Sequence, residues 1–98
     1  MDLPEEFVWD EGNREKNWVK HGVTTQECEE VFSQQPIQIT DDPLHSTKEC
    51  RYVALGKTKR GRWLFVIFTI RRNSIRIISA RDQDKKERSQ YGQETQKN

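Results

Sequence analysis

The spacing of polar and apolar residues changes along the chain, and each change marks an element. Phe7-Val8-Trp9 is a short β-like run ahead of Asp10, which is suited to cap a helix running to about Lys20. Gly22 stands where a residue just past that helix would fall. Thr24 and Glu27 form a T-x-x-E capping box, with Val23 and Cys28 spaced as a hydrophobic staple. Cys28, Val31 and Phe32 then share one helical face, and Pro36 closes this second helix. From there the period becomes two. Ile37 to Thr40 alternates, Asp41-Asp42-Pro43 is turn chemistry, and Arg51 to Leu55 alternates again. Val53 and Leu55 fall on one face of that strand, Tyr52 and Ala54 on the other. Gly56 to Gly61 is a Lys/Arg-rich hairpin loop, and Trp63 to Phe68 is continuously apolar, as in a central strand covered on both faces. Arg71 to Asn73 turn the chain into a last strand, Ile75 to Ala80. Asp82 is placed to cap a final helix over about residues 83–92, which leaves 93–98 as a polar tail.

The predicted order is β-α-α-β-β-β-β-α. Short connections between consecutive strands imply antiparallel pairing. The fold class is therefore α+β: an antiparallel sheet with two N-terminal helices and one C-terminal helix lying on one of its faces. A length of 98 residues suits one domain, assigned to residues 1–92.

Composition changes this picture in one respect. Hydrophobic content is 32% and charged content 34%, yet the net charge is only +1. The balance hides a separation: residues 1–49 carry twelve acids and four bases, whereas residues 50–81 carry nine bases and no acid. A folded domain of this sequence has two poles, and its local field selects its partners. Cys28 and Cys50 have neither metal nor redox spacing, and Cys28 reads as a small core residue. No apolar run is long enough to span a membrane and no signal peptide is visible, so a cytoplasmic protein is expected.

The candidate chemistry lies in the basic half. Lys57, Arg60, Arg62, Arg71, Arg76 and Arg81 belong to a stretch with eight bases and no acid, and Arg51 opens an earlier strand. Guanidinium groups bind phosphate bidentately, so several on one sheet would grip a nucleic-acid backbone. The competing reading pairs them with local acids, Arg81 with Asp82 or Asp84 and Arg51 with Glu49. Strict alternation sets Arg76, Ile78 and Ala80 on one face of the last strand and Ile75, Ile77, Ser79 and Arg81 on the other. Lys20 and His21 form a second cluster: the imidazole can move protons and the ammonium can meet developing phosphate charge. Both also suit a helix C-terminus for reasons of the dipole alone. Glu49, two residues before Arg51, reads either as a general base or as an orienting partner for an arginine. Tyr91 reads as a pin between the last helix and the sheet, with base stacking as the alternative. No metal cluster and no cofactor motif is visible.

Taken in order, Trp9-Asp10, Asn17, Lys20-His21-Gly22-Val23, Glu49-x-Arg51, Arg76-Ile77-Ile78-Ser79-Ala80-Arg81, Glu87-Arg88 and Tyr91 resemble the BrnT family of bacterial toxins, from about Phe7 to Tyr91. The resemblance implies a RelE-like fold and a ribonuclease toxin of a type II toxin–antitoxin system that stops translation. It implies a BrnA-like ribbon-helix-helix antitoxin, and a complex that binds promoter DNA. Its functional positions would fall on Lys20, His21, Glu49, Arg51, Arg71, Arg76 and Arg81. The chain departs from the family pattern near Asn13, where a lysine is common, at Thr25, where an aromatic is usual, and at Asp82-Gln83-Asp84. The alternative reading is a non-catalytic basic module that docks an acidic protein or nucleic acid.

Overall fold

The computed structural model describes residues 2–14 and 21–96, excepting the side chains of residue 45 and of residues beyond 93. In chain order the elements are β1 (Phe7–Val8), α1 (Glu11–Arg14), α2 (Thr25–Ser33), β2 (Gln38–Asp41), a 3-10 turn (Pro43–His45), β3 (Tyr52–Lys57), β4 (Trp63–Arg71), β5 (Ser74–Asp82) and α3 (Lys85–Gln96). The predicted order holds, as does the α+β class. The first helix is described only over its opening turn, and Lys20 lies outside the described residues.

The sheet order is β1-β5-β4-β3-β2. β2 to β5 pair antiparallel as expected, but β1 lies parallel to β5, so the sheet is mixed. The long route through both helices returns β1 to the far edge, a placement that no local signal encodes. Arg72 and Asn73 take φ of 49° and 61°, the two positive values that join β4 to β5 in a tight hairpin.

One face of the sheet holds the core. Leu64, Val66 and Phe68 of β4 and Ile75, Ile77 and Ala80 of β5 pack with Val23, Cys28 and Val31 of the α2 region. The Thr24–Glu27 capping box forms as read, with Glu27 N donating to Thr24 Oγ1 and Thr24 N donating to Glu27 Oε1, both at 3.0 Å. Cys28 is buried, and burial pushes its thiol up to about 12, as befits an inert core residue.

Three expectations change. Asp82 does not cap the last helix; Asp84 does, in a reciprocal box with Glu87 (2.8 and 2.9 Å), because β5 runs on through Asp82. The helix continues to Gln96, since nothing in Gln93 to Gln96 breaks it. The helices also do not share a face. Trp63 precedes Leu64 and points to the opposite side, where Tyr91 of α3 meets it edge-on at 5.0 Å. Tyr91 is buried and its hydroxyl donates to Pro36 O at 2.6 Å, so it pins α3 over one end of the outer face.

The fourth change matters most. β4 and β5 keep one register from Leu64↔Asp82 to Ile67↔Ser79 and another from Phe68↔Ile77 to Arg71↔Ser74. β5 therefore carries one extra residue, Ile78, as a β-bulge. Strict alternation fails there. Arg76 pairs with Thr69 and Arg81 with Phe65, two β4 residues of the same parity, so both arginines lie on the outer face.

At Gly56 α2 approaches the sheet too closely for a side chain. A Cβ there would stand 2.8 Å from Val31 Cγ1 and 3.3 Å from Val31 O. Gly56→Ala is expected to cost about 1–3 kcal/mol from this overpacking. Thermal unfolding should show it as a lower Tm, whereas an unchanged Tm would mean that α2 sits further off.

Candidate functional site

The outer face is a strip of Val53, Phe65, Ile67 and Ser79, partly exposed and edged by arginines. Its first end is assembled by Thr69. This buried threonine donates its hydroxyl to Cys50 O at 2.8 Å, which lays Glu49-Cys50-Arg51 against β4. Ser46 completes the support: its Oγ accepts from Arg51 N at 2.9 Å and donates to Asp42 O at 2.6 Å. Glu49 then receives Arg71 in a bidentate pair, both bonds 2.8 Å. Arg76 donates to Asp10 Oδ2 at 2.7 Å. Asp10 also caps α1, its Oδ1 accepting from Asn13 N at 3.1 Å while Asn13 Oδ1 accepts from Asp10 N at 2.7 Å. Asn13 in turn donates to Val8 O and Ile77 O, tying α1 to the edge of β5.

These pairs fix the protonation of the carboxyls. The Arg71 guanidinium beside Glu49 holds its carboxyl below the ordinary value, with Arg51 and Arg76 adding to the pull. Arg76 does the same to Asp10, helped by the hydrogen bond from Asn13 N. Among the described residues Arg51 forms no ion pair, and its Nε is buried without a hydrogen-bond partner.

At the other end Arg81 pairs bidentately with Glu87 of α3 at 2.8 and 2.9 Å, and its guanidinium lies 3.9 Å over the centre of the Phe65 ring. Glu87, not Asp82 or Asp84, is the partner. Arg62 is elsewhere. It clamps Asp82 at 2.7 and 3.0 Å, Glu27 at 3.2 Å, and the carbonyls of Gly22 and His21. It thereby locks the α2 cap to the end of β5. His21 belongs to this region, close enough to Asp82 to lower its carboxyl, a shift caused chiefly by Arg62. Lys57 ends β3 opposite Trp63, and Arg60 is exposed in the β3–β4 turn. The structure thus gathers Glu49, Arg51, Arg71 and Arg76 in one cluster, sets Arg81 on the same face about 13 Å along β4, and holds Arg62 and His21 in a separate network. Among the described residues no group of three or more His, Cys, Asp or Glu side chains is arranged to hold a metal ion, and no helix is long and apolar enough to cross a membrane.

A family model described as the ribonuclease toxin BrnT of type II toxin–antitoxin systems matches residues 9–87. The chain belongs to the BrnT family. No curated protein matches it. As a BrnT toxin it is a ribonuclease by family, with RNA as substrate and an antitoxin as partner. The residues missed by sequence reasoning are those that hold the arginines. Asp10 carries a helix-cap signal, but nothing in its spacing ties it to Arg76, and Thr69 looks like any strand threonine. Phe65 reads only as part of an apolar run.

The lowered carboxyls give a pH signature. The ion pairs of Asp10 and Glu49 stabilise the BrnT fold above the ordinary carboxylate range, and that contribution is lost as pH falls through the lowered values. The Tm of the wild type should therefore fall as the pH drops below about 4. In an Asp10→Asn, Glu49→Gln variant, which keeps the α1 cap, part of that slope should be missing. Melting curves at a series of pH values would measure it; identical slopes would contradict the pairing.

Proposed function

We propose that this BrnT chain is a metal-independent endoribonuclease whose outer sheet face holds single-stranded RNA, and that cutting messages in this way stops translation in the cytoplasm. The observation that carries the reading is the bulge at Ile78. It puts Arg76 and Arg81 on one open face, beside Arg71 and Arg51, while the neighbouring isoleucines stay in the core.

In this mechanism the 2′-hydroxyl attacks the adjacent phosphorus, a 2′-O–P bond forms and the P–O5′ bond breaks. The extra charge on the phosphoryl oxygens is met by Arg76, which Asp10 holds before the substrate arrives, and by Arg51. Glu49 stays ionised through the neutral range and accepts a proton poorly, so its role is to orient Arg71. Asp10 does the same for Arg76. His21 lies with Arg62 and Asp82, apart from Arg76 and Arg51, so the proton of the nucleophile and that of the leaving oxygen are exchanged with solvent. Lys57 and Arg60 extend the basic surface beyond the strip and guide the strand electrostatically. Arg62, with its donors committed to the α2 cap, contributes through the fold.

The antitoxin is proposed to be a BrnA-like ribbon-helix-helix protein. Covering the arginine face would mask its charge and exclude RNA in one step, and the complex would then bind promoter DNA.

Expression of the lone chain in bacteria should arrest growth, and purified protein should cleave RNA in the presence of EDTA. Arg76→Ala should lower cleavage by about 100-fold or more and relieve the arrest with the fold retained. A harmless wild-type chain, or cleavage abolished by EDTA, would contradict the proposal.

A further inference from the structure

We propose that the guanidinium plane of Arg81, laid on the Phe65 ring, is a stacking platform for one nucleobase of the bound RNA; this rests on the RNA-cleaving reading above. The terminal edge of the Arg81 guanidinium and its charge are already taken up by a neighbouring carboxylate and carbonyl. Its Nη1 donates to Glu87 Oε1 at 2.8 Å and to Asp82 O at 3.1 Å, and its Nη2 donates to Glu87 Oε2 at 2.9 Å. Glu87 is tucked in, its side chain only 17% exposed, so a phosphate approaching Arg81 would also approach a fixed carboxylate. What Arg81 offers is its plane. The Phe65 ring lies against it at 3.9 Å, the carboxylate fixes its in-plane rotation, and 34% of the side chain remains open to solvent. A flat cation held in this way presents a rigid surface on which a base of any sequence can stack.

The surroundings fit a single strand. Phe65 opens the strip, Ile67 and Val53 continue it, and Arg76 and Arg71 stand at its far end. A base held at Arg81 would leave the next stretch of backbone to reach those arginines, about 13 Å along β4. Phosphate recognition at one end and base stacking at the other is the division of labour seen in grooves that track single strands.

The test is binding of a 2′-O-methyl RNA of about 12 nucleotides, which lacks the attacking hydroxyl, measured by fluorescence anisotropy and repeated with one base removed at each position in turn. Arg81→Lys keeps the charge and loses the plane. Phe65→Leu keeps the Arg81–Glu87 pair and loses the ring, and it stands as the test if Arg81→Lys unfolds. The wild type should lose about 10-fold in affinity at one abasic position. Each variant should lose a similar factor on intact RNA and nothing further at that position, with the salt dependence of binding unchanged. Wild-type affinity in both variants would overturn the platform, as would losses that multiply at the abasic position. So would a salt slope lowered by about one phosphate contact in a charge-removing Arg81→Gln variant. In each of those cases RNA is still bound and the cleaving face survives. If the wild type bound no RNA, both readings would fall together.

Discussion

One extra residue in β5 governs the rest of the molecule. A regular strand with the sequence Ile75-Arg76-Ile77-Ile78-Ser79-Ala80-Arg81 would have to send either Ala80 or the isoleucines out of the core. The bulge at Ile78 removes the conflict. It resets the alternation, so Ile75, Ile77 and Ala80 all face α2 while Arg76, Ser79 and Arg81 face out. A slip of one residue reverses every side chain in a strand. Here the local insertion of one residue does so only where it is needed. The core and the arginine face are two results of the same backbone feature.

Charge organisation follows from that geometry. Along the chain the acids and bases are separated, but in space they are interleaved. Asp10 reaches Arg76, Glu27 reaches Arg62, Glu49 reaches Arg71, and Glu87 reaches Arg81. Exposed pairs of this kind contribute little stability each. Their effect is on conformation: a long, flexible side chain that would otherwise sample many rotamers is held over the sheet. Arg51 is the exception at the site: its backbone is held by Ser46, and among the described residues its guanidinium forms no ion pair. The face is accordingly less positive than a count of bases suggests and more ordered.

Much of the fold could be read in the sequence because the relevant signals are local. The Thr24–Glu27 box, the alternation of Arg51 to Leu55, the Arg72-Asn73 turn and the order of elements all depend on residues close together. What escaped depends on distant ones. The parallel docking of β1, the placement of α3 opposite α2 through Trp63 and Tyr91, and the partnership of Asp10 with Arg76 across 66 positions have no local signature. The bulge is the informative case. Its sequence trace was the conflict itself, arginines and isoleucines that no single alternation could satisfy. The candidate site was legible as a set of residue types and was misread in its faces, because strict alternation separated Arg76 from Arg81.

The central claim is that RNA lies on the outer face and is met by Arg51, Arg71 and Arg76. NMR of the arginine Nε–H groups during titration with uncleavable 2′-O-methyl RNA tests it most directly. The account predicts large shifts at Arg51, Arg71 and Arg76, which lie at the outer face, and none at Arg62, which is held in the network of Asp82 and Glu27 apart from it. Shifts confined to Arg60 and Arg62, with the three outer-face arginines unmoved, would place the RNA elsewhere and contradict it.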